Sequence, residues 1–443
     1  MKPFREPEAD TTTTTDEDDK KQQKQRWELK MKVPNDFDLE KSVCSHGLFM
    51  MSPNKWDPLS RTLSRPLRLP PDSSSTVHVT LSLPPPPSEH HLLVSVDAVH
   101  ARPLSDLDRH SILAQVSRML RISDYEDRAM RGFHEVHGAA RERGFGRVFR
   151  SPTLFEDMVK CILLCNCQFL RTLSMSRALC ELQLELSGNF LQCSTAKDFH
   201  PRTPPQRELK RKKIKSGKVV KKLASKFVEN KSDSVIDINS DGHADGVPEQ
   251  QQKKKPKTNV ASSKEDMYSM CEDPVMGDFP TPQELATLNV KFLQKHCGLG
   301  YRAKRIVELA QSIVDGRLRL DELQGICNEA PSDYDKLTKQ LMEIKGIGAF
   351  TCANILMCMG FYQKIPADTE TVRHLKQVHK KQCTILTVKK DVEEIYGQYA
   401  PFQFLAYWME IWDDYEKRFG KLSEMHPSNY RLITASNMRS RIL

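Results

Sequence analysis

YDKLTKQLMEIKGIGAFTCANILMCMGFYQKIPADTETVRHL, residues Tyr334 to Leu375, decides how the rest of this 443-residue chain is read. Leu337, Leu341 and Ile344 recur at helical spacing, and Gly346 and Gly348 then interrupt the helix on either side of Ile347. A second apolar helical segment begins at once, and a short connection leads to one acidic residue, Asp368. Glycines ahead of a helix N-terminus leave backbone N–H groups unpaired and facing outward with the positive end of the helix dipole. A hairpin of this kind can hold a nucleic-acid backbone without reading bases.

Helical patterning extends on both sides of this stretch. Thr281 and Pro282 open one helix, Gly298 to Gly300 form a glycine turn, and another helix runs on from Arg302. Further upstream, SPTLFEDMVKCILLCNCQ places Phe155, Met158, Val159, Ile162 and Leu163 on a broad apolar face that ends near Asn166. A capped helix with Ile112, Val116, Met119 and Leu120 precedes it. Before these, TVHVTLSL (Thr76 to Leu83) and HLLVSV (His91 to Val96) alternate with period two across a proline breaker, which predicts an antiparallel pair. The fold class expected is therefore mainly α with a small N-terminal β-rich domain, α+β. The expected boundaries are a disordered tail over 1–34, the β-rich domain over 35–103, and helices over 104–194. A disordered basic insertion over 195–272 follows, then helices with the hairpin over 273–425 and a tail over 426–443.

Charge supports that division. The formal net charge is +9, yet residues 201–230 alone hold eleven Lys or Arg against two Glu, so the folded remainder is nearly neutral. KRKKIKSGKVVKK and KKKPK read as nuclear targeting or as nonspecific attraction for nucleic acid, with a plain solvated linker as the alternative. Twelve scattered cysteines without a secretion signal fit a reducing compartment. No apolar run approaches a membrane span, and the acidic, threonine-rich opening fits neither a signal nor a transit peptide. Cys161, Cys165 and Cys167 lack a matching Cys/His pair at finger spacing, so no metal is expected from side-chain pattern.

The hairpin, the TCANIL segment from Thr351 to Leu356 and Asp368 after IPA stand in the order that marks the base-excision DNA glycosylases, and the chain resembles that helix-hairpin-helix (HhH-GPD) superfamily. The phrase GLGYRAKR (Gly298 to Arg305) is close to the 8-oxoguanine and 3-methyladenine glycosylase II branch, and the likeness is to a eukaryotic, plant-like member. Outside the insertion it covers about residues 105–425. The resemblance implies two helical subdomains with a cleft between them, in a monomeric enzyme that the basic clusters would place in the nucleus. Its partner would be double-stranded DNA containing a damaged base, with no membrane involved. No cysteine follows Cys383, so the iron–sulfur loop of the endonuclease III branch is not expected, although a hairpin of this family binds a monovalent cation through turn carbonyls.

Residue by residue, the resemblance assigns catalysis to Asp368, whose carboxylate would stabilise positive charge developing at C1′ and orient or deprotonate water. On spacing alone the N-cap reading of Asp368 is the stronger one, and the two roles are compatible. Glu370 is a weaker candidate because the following helix turns it away. Lys345, Gly346, Ile347, Gly348, Thr351 and Arg302 are assigned to DNA. Asn166 falls where the family inserts a polar side chain opposite the extruded nucleotide, with a polar helix-end residue as the plain alternative. Lys345 replaces the usual proline, and Phe350 stands where bifunctional members carry a Schiff-base lysine, which implies a monofunctional enzyme. Lys345 and Lys364 do not match the nucleophile's position. Phe350 and Tyr407 are assigned to the base pocket. Tyr407 stands where 8-oxoguanine enzymes use glutamine, which favours an electron-poor alkylated base stacking on aromatics over 8-oxoguanine, within an overall expectation of an alkylated or oxidised purine. A noncatalytic DNA-structure binder, a bifunctional glycosylase/lyase and a chromatin adaptor working through the insertion remain as rivals.

Overall fold

Hydrophobic alternation in the first hundred residues builds one antiparallel sheet. In the computed structural model, which describes residues 25–70, 75–84, 91–98, 103–188, 276–326, 331–434 and 437–438, its strand order is β1-β5-β4-β3-β2. The strands are β1 (Gln25–Lys32), β2 (Lys55–Asp57), β3 (Thr62–Arg68), β4 (Thr76–Ser82) and β5 (His91–Ala98). The expected pair is β4 and β5, with Val79 opposite Val96 and Leu81 opposite Val94. Leu63, Leu67, Val77, Val79, Leu81, Leu92, Val94 and Val96 share the buried face, as period two requires.

Two expected boundaries are corrected. The tail expected over 1–34 contains β1, which pairs along its whole length with β5. Its residues alternate as Trp27, Leu29, Met31 against Glu28, Lys30, Lys32, so a strand pattern was present inside a segment judged by its charge. The tail expected over 426–443 continues as a 3-10 helix at Pro427–Leu432, whose buried Tyr430 meets the Phe49 ring edge-on at 6.0 Å. The basic insertion expected over 195–272 lies outside the described residues.

The helices follow in order: α1 (Leu39–Val43), α2 (Asp106–Leu120), α3 (Asp124–Val136), α4 (Gly138–Arg143), α5 (Leu154–Leu164) and α6 (Phe169–Leu186). After the insertion come α7 (Pro282–Ala286), α8 (Val290–His296), α9 (Arg302–Val314), α10 (Leu320–Gln324) and α11 (Pro331–Glu343). The series ends with α12 (Ala349–Met359), α13 (Thr369–Gln377), α14 (Val388–Tyr396) and α15 (Gln403–Phe419). The helices before and after the insertion share one contiguous core with the sheet. α12 packs against α5, and its residues Thr351 to Cys358 are all buried, so this helix has no polar face. Among the described residues no helix is long and apolar enough to cross a membrane.

Charged groups also bridge sheet and helices. Arg65 on β3 is 1% exposed and pairs with Glu156 of α5 at 2.9 Å, while Lys160, one turn along α5, reaches the same carboxylate at 2.7 Å. Two cations against it hold the Glu156 carboxyl down to about 2 in spite of burial. Gly277 packs so closely on α6 that a Cβ would stand 2.3 Å from the Cys180 carbonyl oxygen.

Candidate functional site

The turn between α11 and α12 is set by sterics at one glycine. Gly346 has φ +98, and a Cβ there would meet the Arg305 stem at 2.8 to 3.0 Å. Ile347 closes the turn by donating its N–H to the Ile344 carbonyl at 3.0 Å, and its side chain is 4% exposed, part of the core. Gly348 then caps α12 with extended backbone, open space around it and no side-chain cap. The first-turn N–H groups of α12 therefore face outward, beside exposed Lys345 and Gly346.

Asp368 is the N-cap of α13. Its Oδ1 accepts from the Thr371 backbone N–H at 2.8 Å and the Thr371 hydroxyl lies 2.9 Å from it. That hydroxyl also meets the Pro366 carbonyl and, at 2.9 Å, the Tyr407 hydroxyl. Thr371 has one proton to donate, so Pro366 and Asp368 compete for it while Tyr407 donates to Thr371. Burial raises the Asp368 pKa, the Thr371 hydrogen bonds oppose that rise, and the nearby Glu370 charge adds to it. Glu370 itself is committed elsewhere, to Arg373 at 2.6 Å and the Tyr415 hydroxyl at 3.0 Å.

Asn166 follows the end of α5 in the left-handed region, φ +46, with its side chain exposed. Asparagine tolerates that backbone better than most residues. Arg302 donates to the Cys165 carbonyl and, at 3.2 Å, to the Asn166 carbonyl.

No family model matches the chain. Over 129 residues the chain is 28% identical to the N-glycosylase/DNA lyase of Saccharomyces cerevisiae, a match taking in 27% of this chain and 32% of that protein. The matched part thus spans about a third of that relative's length. Among solved structures, the 3-methyladenine DNA-glycosylase from Archaeoglobus fulgidus is 16% identical, with a TM-score of 0.49 over 87% of this chain and 98% of that one. The Clostridium acetobutylicum 8-oxoguanine glycosylase/lyase in its apo form is 12% identical, with a TM-score of 0.48 over 86% and 96%. The same enzyme in complex with double-stranded DNA containing cytosine opposite 8-oxoguanine is 11% identical, at 0.48 over 88% and 98%.

Lys345, Gly346, Gly348 and Asn166 stand at the surface. Four other assignments are corrected. Arg302 is 4% exposed and braces the Asn166 loop, because its guanidinium is consumed by carbonyls at the end of α5. Thr351 is 2% exposed, with its hydroxyl 2.9 Å from Cys165 Sγ, since its side of α12 packs on α5. Ile347 anchors the turn from inside. Tyr407 is 3% exposed and holds Thr371 behind Asp368 instead of lining open space. Phe350 is half-buried in the first turn of α12. A cleft of about 280 Å³ on another side of α12, lined by Tyr334, Met342, Cys352, Leu356 and Gln403, includes neither Phe350 nor Asp368.

Sequence reading missed Tyr301. It is 56% exposed, its hydroxyl lies 3.4 Å from the Cys165 carbonyl, and Arg302 sits over its ring at 4.7 Å. An exposed aromatic beside Asn166 can stack on a base, and the GLGYR phrase already held the signal.

Proposed function

We propose that the protein is a monofunctional DNA glycosylase of base-excision repair, in the 8-oxoguanine and 3-methyladenine glycosylase II branch and in its eukaryotic, plant-like form. The observation that carries this reading is Asp368. A half-buried carboxylate with a raised pKa is fixed by Thr371 a short way beyond an uncapped helix hairpin. The α12 N-terminus and Lys345 would grip phosphates on the damaged strand, while Asn166 and Tyr301 would enter the stack where the base leaves. With the base extruded, Asp368 would lie against C1′, stabilise the developing oxocarbenium charge and orient or deprotonate the attacking water. The basic insertion is proposed to supply nonspecific attraction and nuclear entry. The expected substrate is an alkylated or oxidised purine in duplex DNA. The enzyme is expected to act as a monomer, without an organic cofactor, with a monovalent cation held at the hairpin turn.

The yeast relative is an N-glycosylase/DNA lyase, which favours a bifunctional second reading. Phe350 speaks against it, because elimination through a Schiff base needs an amine. A panel of duplexes each carrying one lesion separates these readings. Wild type should release one base class and leave alkali-labile sites, and Asp368→Asn should slow release by about 100-fold or more. Strand scission without alkali would establish the lyase. Equal turnover by both proteins would remove Asp368 from catalysis, and lesion binding without release on any duplex would favour a noncatalytic binder.

A further inference from the structure

Three side chains that the proposed reaction does not use converge behind Asp368. His374 lies on α13, His379 just past its end, and Glu410 on α15. His379 Nε2 is 2.7 Å and His374 Nε2 3.3 Å from the same oxygen, Glu410 Oε2. The Tyr396 hydroxyl lies 2.6 Å from that oxygen and 3.1 Å from His379 Nε2. His374 is fully buried, whereas the side chains of His379 and Glu410 keep 24% and 31% of their surface exposed, leaving a path from solvent.

Hydrogen bonding alone accounts poorly for this arrangement. Both imidazoles would have to present Nε2–H and Tyr396 its hydroxyl proton, three donors on one carboxylate oxygen. His374 Nδ1 is buried without a hydrogen-bond partner, so without an ion the Nε2–H tautomer donating to Glu410 is favoured, and an ion would have to move that proton to Nδ1. With the proton on Nδ1, the Nε2 lone pair faces Glu410 and is repelled by it unless a cation lies between. Two imidazole nitrogens and one carboxylate oxygen, all within 4.8 Å of one another, are a three-ligand set for a four-coordinate ion.

We propose that His374, His379 and Glu410 bind a divalent transition-metal ion, with zinc as the natural occupant and the Tyr396 hydroxyl beside the fourth position. The donor set is nitrogen and oxygen without sulfur, which suits zinc and, by the general affinity order, also cobalt, nickel and copper. A tetrahedral ion about 2.1 Å from each donor needs donors roughly 3.3 to 3.5 Å apart. The 3.3 Å contact of buried His374 already meets that spacing, and the 2.7 Å contact of the partly exposed His379 needs to open by about half an ångström. The ion would tie the end of α13 to α15. The His374 ring also packs edge-on at 5.8 Å against Tyr407, whose hydroxyl holds Thr371. Glu410 is 36 positions from His374, so no local spacing announces the site in sequence.

The inference stands independently of the glycosylase reading, and its test needs no DNA. Full-length protein, stripped of metal and reduced, is titrated with Co²⁺ and followed by visible absorption. One equivalent should give the d–d bands of tetrahedral nitrogen and oxygen ligation without the near-ultraviolet thiolate charge-transfer band that the cysteines would produce. Zn²⁺ should displace the cobalt and raise the thermal midpoint by a few degrees. His379→Ala and Glu410→Gln should each lose that equivalent, with far-ultraviolet circular dichroism confirming the fold. The milder His379→Gln serves where either fails to fold. Absence of the tetrahedral spectrum in wild type, a spectrum dominated by thiolate, or unchanged uptake by folded variants would overturn the site.

Discussion

At Asp368 the burial that favours the protonated carboxyl outweighs the Thr371 hydrogen bonds that favour the ionised one, and the pKa ends above its ordinary value. Activity that needs the carboxylate should therefore fall with acid earlier than for an exposed aspartate, and Thr371 tunes where. Thr371→Val keeps the shape and the backbone cap but removes the hydroxyl that faces both Asp368 and Tyr407. One bond that lowers the pKa is lost, so the acid limb of the single-turnover pH profile should move to higher pH. The rate on the plateau should fall as Tyr407 loses its partner. An acid limb that stays in place would show that Thr371 does not set the charge on Asp368. The N-cap role of Asp368 was readable from DTETVR, because capping follows from local sequence. Tyr407 was not, because its hydroxyl meets a residue 36 positions away and only packing decides which way the ring points.

The hairpin shows how much a motif says at the scale of an element. Two glycines looked equivalent in KGIG, yet the backbone separates them. Gly346→Ala forces a Cβ into a left-handed turn against Arg305 and should cost about 1 kcal/mol or more of stability, seen in urea unfolding. Gly348 has φ −95 with nothing near its missing Cβ, so Gly348→Ala should leave stability within about 0.5 kcal/mol. Its methyl would instead stand at the mouth of the α12 N-terminus and weaken duplex binding. The pattern also named residues by position without saying which side of the helix they face. Thr351 and Arg302 were assigned to DNA although α12 is buried all round from Thr351 to Cys358 and Arg302 is spent on carbonyls. A salt titration separates brace from contact. Lys345→Ala should reduce the slope of log K against log salt by about one, while Arg302→Ala should leave the slope unchanged even where it weakens binding by loosening the Asn166 loop.

Across the whole molecule, the helical body and the β4–β5 pair were legible because periodicity is a short-range property, whereas the charged bridge between sheet and helices was not. Arg65 and Glu156 stand 91 positions apart, and only tertiary packing buries them against each other with Lys160. Such a group is costly to dismantle from one side. Glu156→Gln keeps the shape but leaves buried Lys160 without its carboxylate and Arg65 with Asp278 alone, at 3.7 Å, which is expected to cost about 3 kcal/mol in chemical denaturation at neutral pH. The pH dependence follows from the same charge. The folded carboxyl titrates at about 2 against an ordinary 4.5, so folding holds the ionised form. Its contribution is fully present above about pH 4.5 and is lost as the pH falls toward 2. Wild type should therefore lose stability across that window, and Glu156→Gln should show a shallower loss there because its penalty is already present at neutral pH. Parallel acid-unfolding curves for the two proteins would mean that the bridge between β3 and α5 is not held by this charge.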